Sequence, residues 1–476
     1  MKCTIVIEDE INCRIGGLKT DHLKFLWDNF GFFVDGYRYT PQFALGKWDG
    51  KKRFFDKFGK TFTKILDEIV PHIINWDYEI DFEDKRLSIP QVIDRFSEDF
   101  FQLPDFKFRP YQVESANKLL EAGGGFGLLA TGSGKTSIVA GMTYIFARAN
   151  LRTIVIVPSQ DLVEQTVKEI RSRFRVIGQD LEIGVFGAGL KQIDSHIVIA
   201  TWQSLQNAMH HMSNFQVVIV DESHGAKANI IQEIINVHGK HIAFRYGLTG
   251  TFPKPVTDQY ALKTAIGSIV CEVPAWWLIQ QGFLSTIEIR PIEMQDKAKD
   301  EFPDYASEKA FISKSEGRLE VIAKQIMKAR DSIGNTLVLV NSLKLGRQLA
   351  EIIPESVFLS GEDENTVRAE NYAEYADRND IIRIASVGIA STGISIDRIF
   401  VLFTIDIGKS FTRAIQSIGR SIRKSGDKSH AIVYDVYSNF KHSKKHFKIR
   451  KDYYIEAKYP MEKVVKMFPT KKDELF

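Results

Sequence analysis

Cysteine is nearly absent: Cys3, Cys13 and Cys271 are the three thiols in 476 residues. They cannot all pair, and no metal-ligand spacing links them. A disulfide framework and a cysteine-based zinc site are therefore excluded, and a reducing, cytoplasmic setting is expected. Long apolar runs are missing too. None approaches the roughly 18 residues that a spanning helix needs, so no membrane partner is expected. The opening MKCTIVIEDE turns acidic too early for a secretory signal. The closing KKDELF contains KDEL, but Phe476 follows it, and a retention signal must be terminal. Short-period repeats and low-complexity segments are also lacking. What remains, 44% apolar and 26% charged residues, is the composition of an ordinary folded chain. Its length suits roughly two to four domains.

The net charge of +3 hides strong segregation. Gly36 to Lys64 holds eight Lys/Arg against two Asp, and Ile65 to Asp105 holds eleven Asp/Glu against three Lys/Arg. Lys441 to Lys472 holds eleven Lys/Arg against three Asp/Glu. Basic clusters toward both ends point to a polyanion partner, although an unevenly charged, solvated surface would look the same. The first cluster is also aromatic. DGYRYTPQFALGKWDGKKRFF (35–55) interleaves Tyr37, Tyr39, Phe43, Trp48, Phe54 and Phe55 with Arg38, Lys47, Lys51, Lys52 and Arg53. The alternation in YRYT and the turn signals Asp35-Gly36 and Asp49-Gly50 predict a hairpin with an aromatic core. The cations would then face a nucleic-acid backbone. Trp48 is the aromatic singled out for stacking on a base. Near the other end, NFKHSKKHFKIRKDYY (439–454) spaces Phe440, Phe447 and Tyr454 seven apart, as a docked helix would. Its histidines have no paired metal ligands.

From about residue 106 the texture changes. Short continuous apolar runs appear at 126–130, 152–157, 196–200 and 216–220, then again at 335–340, 381–386, 399–405 and 430–436. Each of the first four precedes a longer, more polar segment. This pattern predicts parallel strands buried on both faces, alternating with helices. The fold class is α/β, with two such domains in tandem behind a small α+β region. Expected boundaries are 1–100 for an N-terminal domain, 106–290 and 295–440 for the α/β domains, and 441–476 for a basic C-terminal extension. The acidic stretch near 77–105 reads as a connector, and a hinge is expected between about 285 and 300.

After the run FGLLA comes Thr131-Gly132-Ser133-Gly134-Lys135-Thr136. A glycine-rich turn between a buried strand and a helix lets backbone N–H groups wrap a phosphate at the helix N-terminus. Lys135 would reach the outer phosphates of ATP, and the Thr136 hydroxyl would hold Mg²⁺. The strict pattern has glycine where this chain has Leu129. A second carboxylate site follows the run VVIV, as Asp221-Glu222-Ser223-His224. There Asp221 would bind the metal, and Glu222 would orient and deprotonate the attacking water.

TGSGKT, DESH, GLTGT (247–251) and QSIGRSIR (416–423), in that order, resemble the motifs of superfamily 2 helicases and translocases over roughly 106–440. The resemblance implies two RecA-like domains with ATP between them. RPYQ (109–112) is similar to the family's adenine-reading motif, which assigns Gln112 to the base with Tyr111 beside it. ASTGISI (390–396) resembles the motif of the second domain that contacts nucleotide and DNA, implicating Thr392 and Gly393. VPSQDLVEQ (157–165) and ATWQSL (200–205) resemble strand-tracking motifs. Thr201, Trp202, Ser386 and Thr392 become candidate groups for gripping DNA without reading sequence. In QSIGRSIR, Gln416, Arg420 and Arg423 share one helical face. Arginine fingers for the γ-phosphate are therefore implied. Ser223 and GLTGT depart from the commoner residues of their motifs, and neither change removes a needed group.

The segment 35–53 is similar to the N-terminal region of phage UvsW-type helicases. That family remodels branched DNA by migrating junctions, regressing forks and annealing strands. The implied function is an ATP-dependent DNA helicase of replication, recombination and repair. It would act as a monomer on branched or duplex DNA, in the host cytoplasm if phage-encoded. A duplex translocase that does not unwind, an RNA helicase and a catalytically inactive scaffold are the alternatives.

Overall fold

The computed structural model describes residues 1–87, 92–176, 181–187, 189–221, 228–298, 301–315, 317–390, 398–408 and 430–469. The chain divides into two compact units. One holds Met1–Leu129 and Gly134–Val273, and the other holds Pro274–Phe476 with Ala130–Ser133.

The first unit begins with a four-stranded sheet in the order Lys60–Phe62, Asn12–Gly16, Lys2–Ile7, Glu79–Asp84. Lys2–Ile7 runs antiparallel to Asn12–Gly16 and parallel to Glu79–Asp84. Buried Cys3, Ile5 and Ile15 of this sheet meet Leu26 of the helix Thr20–Asn29 and Ile69 and Ile73 of the helix Leu66–Asn75. Residues 79–84 are thus an edge strand of the small domain, and the connector expected near 77–105 starts later than its acidic composition suggested.

The rest of the first unit is an eight-stranded sheet ordered Leu190–Lys191, Ile183–Gly187, Ile197–Thr201, Thr153–Val157, Val217–Asp221, Phe244–Thr249, Gly124–Leu129, Ile269–Val273. Its neighbours are parallel except the edge pair Leu190–Lys191 with Ile183–Gly187. Thr153–Val157, Ile197–Thr201 and Val217–Asp221 are buried at every position, as two-faced burial requires.

The second unit carries seven parallel strands in the order Val357–Leu359, Ile382–Ser386, Thr336–Val340, Val401–Ile405, His430–Ser438, Thr286–Met294, Val465–Met467. Two expected boundaries are corrected here. Thr286–Met294 pairs with His430–Ser438, so the division of the chain falls at Val273/Pro274 and not at 285–300. The segment after 440 is no appendage. The helix Lys441–Glu456 buries Phe447 and Tyr454, and Val465–Met467 closes one sheet edge. The sequence concealed both strands for physical reasons. TIEIRPIEM alternates polar and apolar residues around a proline, and Val465–Met467 is too short to register.

A buried ionic centre ties the second unit together. The Arg450 guanidinium donates to both carboxylate oxygens of Asp435 at 2.8 and 2.9 Å and to the Gly408 carbonyl at 3.1 Å. The Tyr454 hydroxyl donates to the same carboxylate at 3.0 Å. In a second buried cluster, Asp406 and Asp296 both pair with Arg318.

Candidate active site and nucleic-acid interface

Three neighbouring parallel strands bring the phosphate-loop chemistry to one sheet edge. Gly124–Leu129 leads into the loop, Val217–Asp221 ends on a carboxylate, and Phe244–Thr249 between them runs into GLTGT. The carboxyl ends of parallel strands are where such folds bind ligands. Gly132 and Gly134 adopt φ +84° and +83°, which side chains rarely adopt, so the backbone can fold into a tight anion cradle. The helix Lys135–Arg148 begins there. Lys135 is buried, and its ammonium donates to the Leu129 carbonyl at 3.2 Å. Thr131, Gly132 and Thr136 are half-buried and Ser133 is buried.

Gln112 lies against this cradle. A Cβ built on Gly134 would stand 2.3 Å from Gln112 Nε2. Its Oε1 accepts the Arg109 backbone N–H at 2.9 Å, at the start of the helix Pro110–Ala122. The Tyr111 hydroxyl accepts from the Arg109 guanidinium at 3.1 Å. Asp221 is buried. Beyond it, the Thr249 hydroxyl donates to the Thr251 carbonyl at 2.8 Å and fixes the turn of GLTGT. The donor set fits a nucleoside triphosphate: Gly134 at a left-handed φ, buried Lys135, the Thr136 hydroxyl and the Asp221 carboxylate all lie at the carboxyl ends of neighbouring strands in the first unit. Among the described residues no cluster of three or more His, Cys, Asp or Glu gathers to hold a metal by itself. Glu222, Thr392, Gly393, Gln416, Arg420 and Arg423 lie outside the described residues, as do Ser223 and His224.

Of the first-unit candidates for gripping DNA, Thr201 is drawn into the fold and Trp202 keeps part of its surface. Thr201 is buried and caps the helix Trp202–Gln206, its hydroxyl accepting the Ser204 N–H at 3.3 Å. Trp202, half-buried, packs against the hydrophobic core of this unit. The Thr201 side chain is thus occupied within its own helix turn, whereas Trp202 is only half-buried. Ser386 ends the strand Ile382–Ser386, half-buried.

The basic, aromatic stretch forms a hairpin, with a different layout from the expected one. Gly31–Phe33 pairs antiparallel with Lys51–Arg53, and a single helical turn (Tyr37–Tyr39) and a short helix (Pro41–Ala44) fill the space between. YRYT is therefore not a strand. Gly36 and Gly50, at φ +72° and +80°, make the turns. Phe54 and Phe55 are core residues, whereas Tyr39 is 94% exposed. Trp48 is half-buried and donates its indole N–H to the Lys51 carbonyl at 2.9 Å, bracing the loop. Arg38 and Lys47 are exposed. Arg53 stacks on Trp27 at 3.6 Å and forks onto Asp49, and that ion pair holds the Asp49 carboxyl down to about 2. Lys52 is not directed at solvent: its ammonium donates to Gln232 Oε1 at 2.6 Å, and burial lowers its pKa. Alternation along a strand sends Lys51 and Lys52 to opposite faces, which their adjacency in the sequence obscures.

A nucleotide cradle at the carboxyl edge of a parallel α/β sheet, with a second parallel sheet downstream, fits the two-domain helicase architecture that the motifs imply. Comparison with known proteins narrows the class. Residues 13–83 match the family DNA helicase UvsW, N-terminal, and residues 105–254 match the family Type III restriction enzyme, res subunit. The ATP-dependent DNA helicase uvsW of Enterobacteria phage T4 is 26% identical over 436 residues, covering 86% of each chain. A putative ATP-dependent RNA helicase of Acanthamoeba polyphaga mimivirus is 24% identical over 400 residues, 79% of this chain and 74% of the relative. The solved structure of Saccharomyces cerevisiae Dbp5 bound to RNA and ADP BeF3 shares the fold. It has a TM-score of 0.55 at 15% identity, over 81% of this chain and 95% of that one. Over most of its length the chain is similar to UvsW-type DNA helicases, and its N-terminal region matches their N-terminal family. No described helix is long and apolar enough to cross a membrane.

Proposed function

We propose that the chain is an ATP-dependent DNA helicase that remodels branched DNA, by junction migration, fork regression and unwinding, in replication, recombination and repair. One observation carries this reading: Gly134, buried Lys135 and buried Asp221, at the carboxyl ends of neighbouring strands, share their compact unit with an N-terminal region that matches the UvsW family. Thr131 to Thr136 would hold the phosphates, with Lys135 on the outer ones, and Gln112 and Tyr111 would receive the adenine. Thr136 and Asp221 would hold Mg²⁺, which supplies charge neutralisation at the phosphates. Glu222 would orient the water. Gln416, Arg420 and Arg423 would stabilise the leaving charge, and Gly393 would approach the nucleotide. Differential grip in two nucleotide states turns hydrolysis into stepping. Ser386 and Thr392 serve that grip from the second unit, and Arg38, Lys47, Lys51 and Tyr39 hold the duplex from the small domain. The motor works as a monomer, without sequence preference, in the cytoplasm of a host cell.

The test is ATP hydrolysis with and without a synthetic four-way DNA junction, together with separation of the junction arms. Stimulated hydrolysis and separated arms are expected, and Lys135→Ala should abolish both. Intact arms at saturating turnover, with displacement of a triplex strand, would instead identify a duplex translocase. RNA stimulating better than DNA would identify an RNA helicase.

A further inference from the structure

The hairpin Gly31–Phe33/Lys51–Arg53 touches the motor through its inward face. Lys52 donates to Gln232 Oε1, and Gln232 Nε2 donates in turn to the Thr264 hydroxyl at 3.3 Å. Asn236 reaches the same hydroxyl at 3.5 Å, and that hydroxyl donates to the Ala261 carbonyl at 3.0 Å. Gln232 belongs to the helix Ala228–Glu233, which follows Asp221 and Glu222 in the chain. Thr264 belongs to the helix Val256–Ala265, which follows GLTGT. Aromatic packing reinforces the contact: Tyr260 of the second helix lies with its ring centroid 4.4 Å from Phe32 and 5.3 Å from Phe54. Tyr260 and Lys263 also bind Glu68 of the small domain. One strand thus carries an outward cation, Lys51, and an inward one, Lys52. The inward one meets the two helices that follow the hydrolysis motifs.

We propose that Lys52 is a positioning residue that couples DNA docking on the hairpin to ATP turnover, through Gln232 and the helix that follows Asp221 and Glu222 in the chain. Duplex bound across Lys51, Lys47 and Arg38 bears on the strand, and the Lys52–Gln232 contact passes that load to the helix. A single hydrogen bond to a charged group can supply a coupling of about tenfold. This inference rests on the proposed DNA-stimulated ATPase, and its test separates the two.

The experiment uses the full chain as wild type, Lys52→Met, Lys52→Arg, Gln232→Leu, the double Lys52→Met/Gln232→Leu, and Lys51→Met. Two quantities are read: equilibrium binding of a labelled four-way junction without nucleotide, and the ratio of ATP turnover at saturating junction to turnover without DNA. For Lys52→Met and Gln232→Leu we expect junction affinity within about twofold of wild type and a stimulation ratio about tenfold lower. The double variant should be no worse than either single, because all three break one link. Lys52→Arg, which can still donate, should restore most of the ratio. Lys51→Met should do the reverse, weakening binding while leaving the ratio at saturation intact. If Lys52→Met weakens junction binding as Lys51→Met does, Lys52 is a DNA contact and the coupling idea is wrong. An unchanged ratio, or additive losses in the double variant, overturns it equally. Should Lys52→Met fail to fold, Gln232→Leu alone carries the decision. A wild-type ratio of one sinks the functional reading and the coupling together, whereas a normal wild-type ratio leaves the variants to judge the coupling alone.

Discussion

Replacing Arg450 with methionine probes what holds the second unit together. The guanidinium is 1% exposed and forks onto Asp435, whose side chain is fully buried. Methionine keeps most of the apolar stem and removes the charge. It leaves a buried carboxylate whose cation is gone, a change that costs about 3–5 kcal/mol in comparable sites. Tyr454 still donates to Asp435 at 3.0 Å, so we place the loss near the lower end, at about 3 kcal/mol. For a unit of this size that corresponds to a fall in melting temperature of roughly 6–12 °C. Calorimetry of the full chain measures it. The double variant Arg450→Met/Asp435→Asn should recover most of the loss, because it leaves no unpaired charge behind. A single-variant loss under about 1 kcal/mol, or a double variant as unstable as the single, would refute the reasoning.

Arg245 should behave oppositely. It is fully buried, donates to the Glu10 carbonyl at 2.7 Å, and is pushed down to about 10 by burial. With no carboxylate forked onto it among the described residues, Arg245→Met should change stability by less than about 1 kcal/mol in the same calorimeter. Lys64 beside it is pushed down to about 8, first by burial and then by Arg245. A lysine that releases its proton earlier when folded carries its full penalty below pH 8 and is relieved as pH rises toward its unfolded value. Wild type should therefore gain up to ~2 kcal/mol relative to Lys64→Met between pH 7.5 and 9.5, read from urea midpoints. An equal pH slope in the two proteins would contradict the assignment. Gly134→Ala should abolish ATP turnover while melting stays within a few degrees. The new Cβ would sit 2.3 Å from Gln112 Nε2 on a backbone at φ +83°. Measurable turnover in that variant would remove Gly134 from the cradle.

Much of the architecture could be read from the chain alone, and the reason is chemical. Strands buried on both faces must be continuously apolar, so 152–157, 196–200 and 216–220 announced themselves. The phosphate loop was legible because a tight anion cradle requires Gly132, Gly134 and Lys135 within a few residues of one another. What escaped was everything that depends on partners distant in the chain. Thr201 matches a strand-tracking motif and yet caps a helix. Arg450 sits in a lysine-rich run whose charge pointed to a polyanion partner, and yet it is buried against Asp435. Lys51 and Lys52 are equivalent letters in a basic cluster. Only the pairing of Gly31–Phe33 with Lys51–Arg53, and the helix packed behind it, turned one lysine outward and the other onto Gln232. Local chemistry and burial period are written residue by residue. The direction of a charged side chain is set by what the rest of the fold places next to it, since an ion goes where its desolvation is compensated.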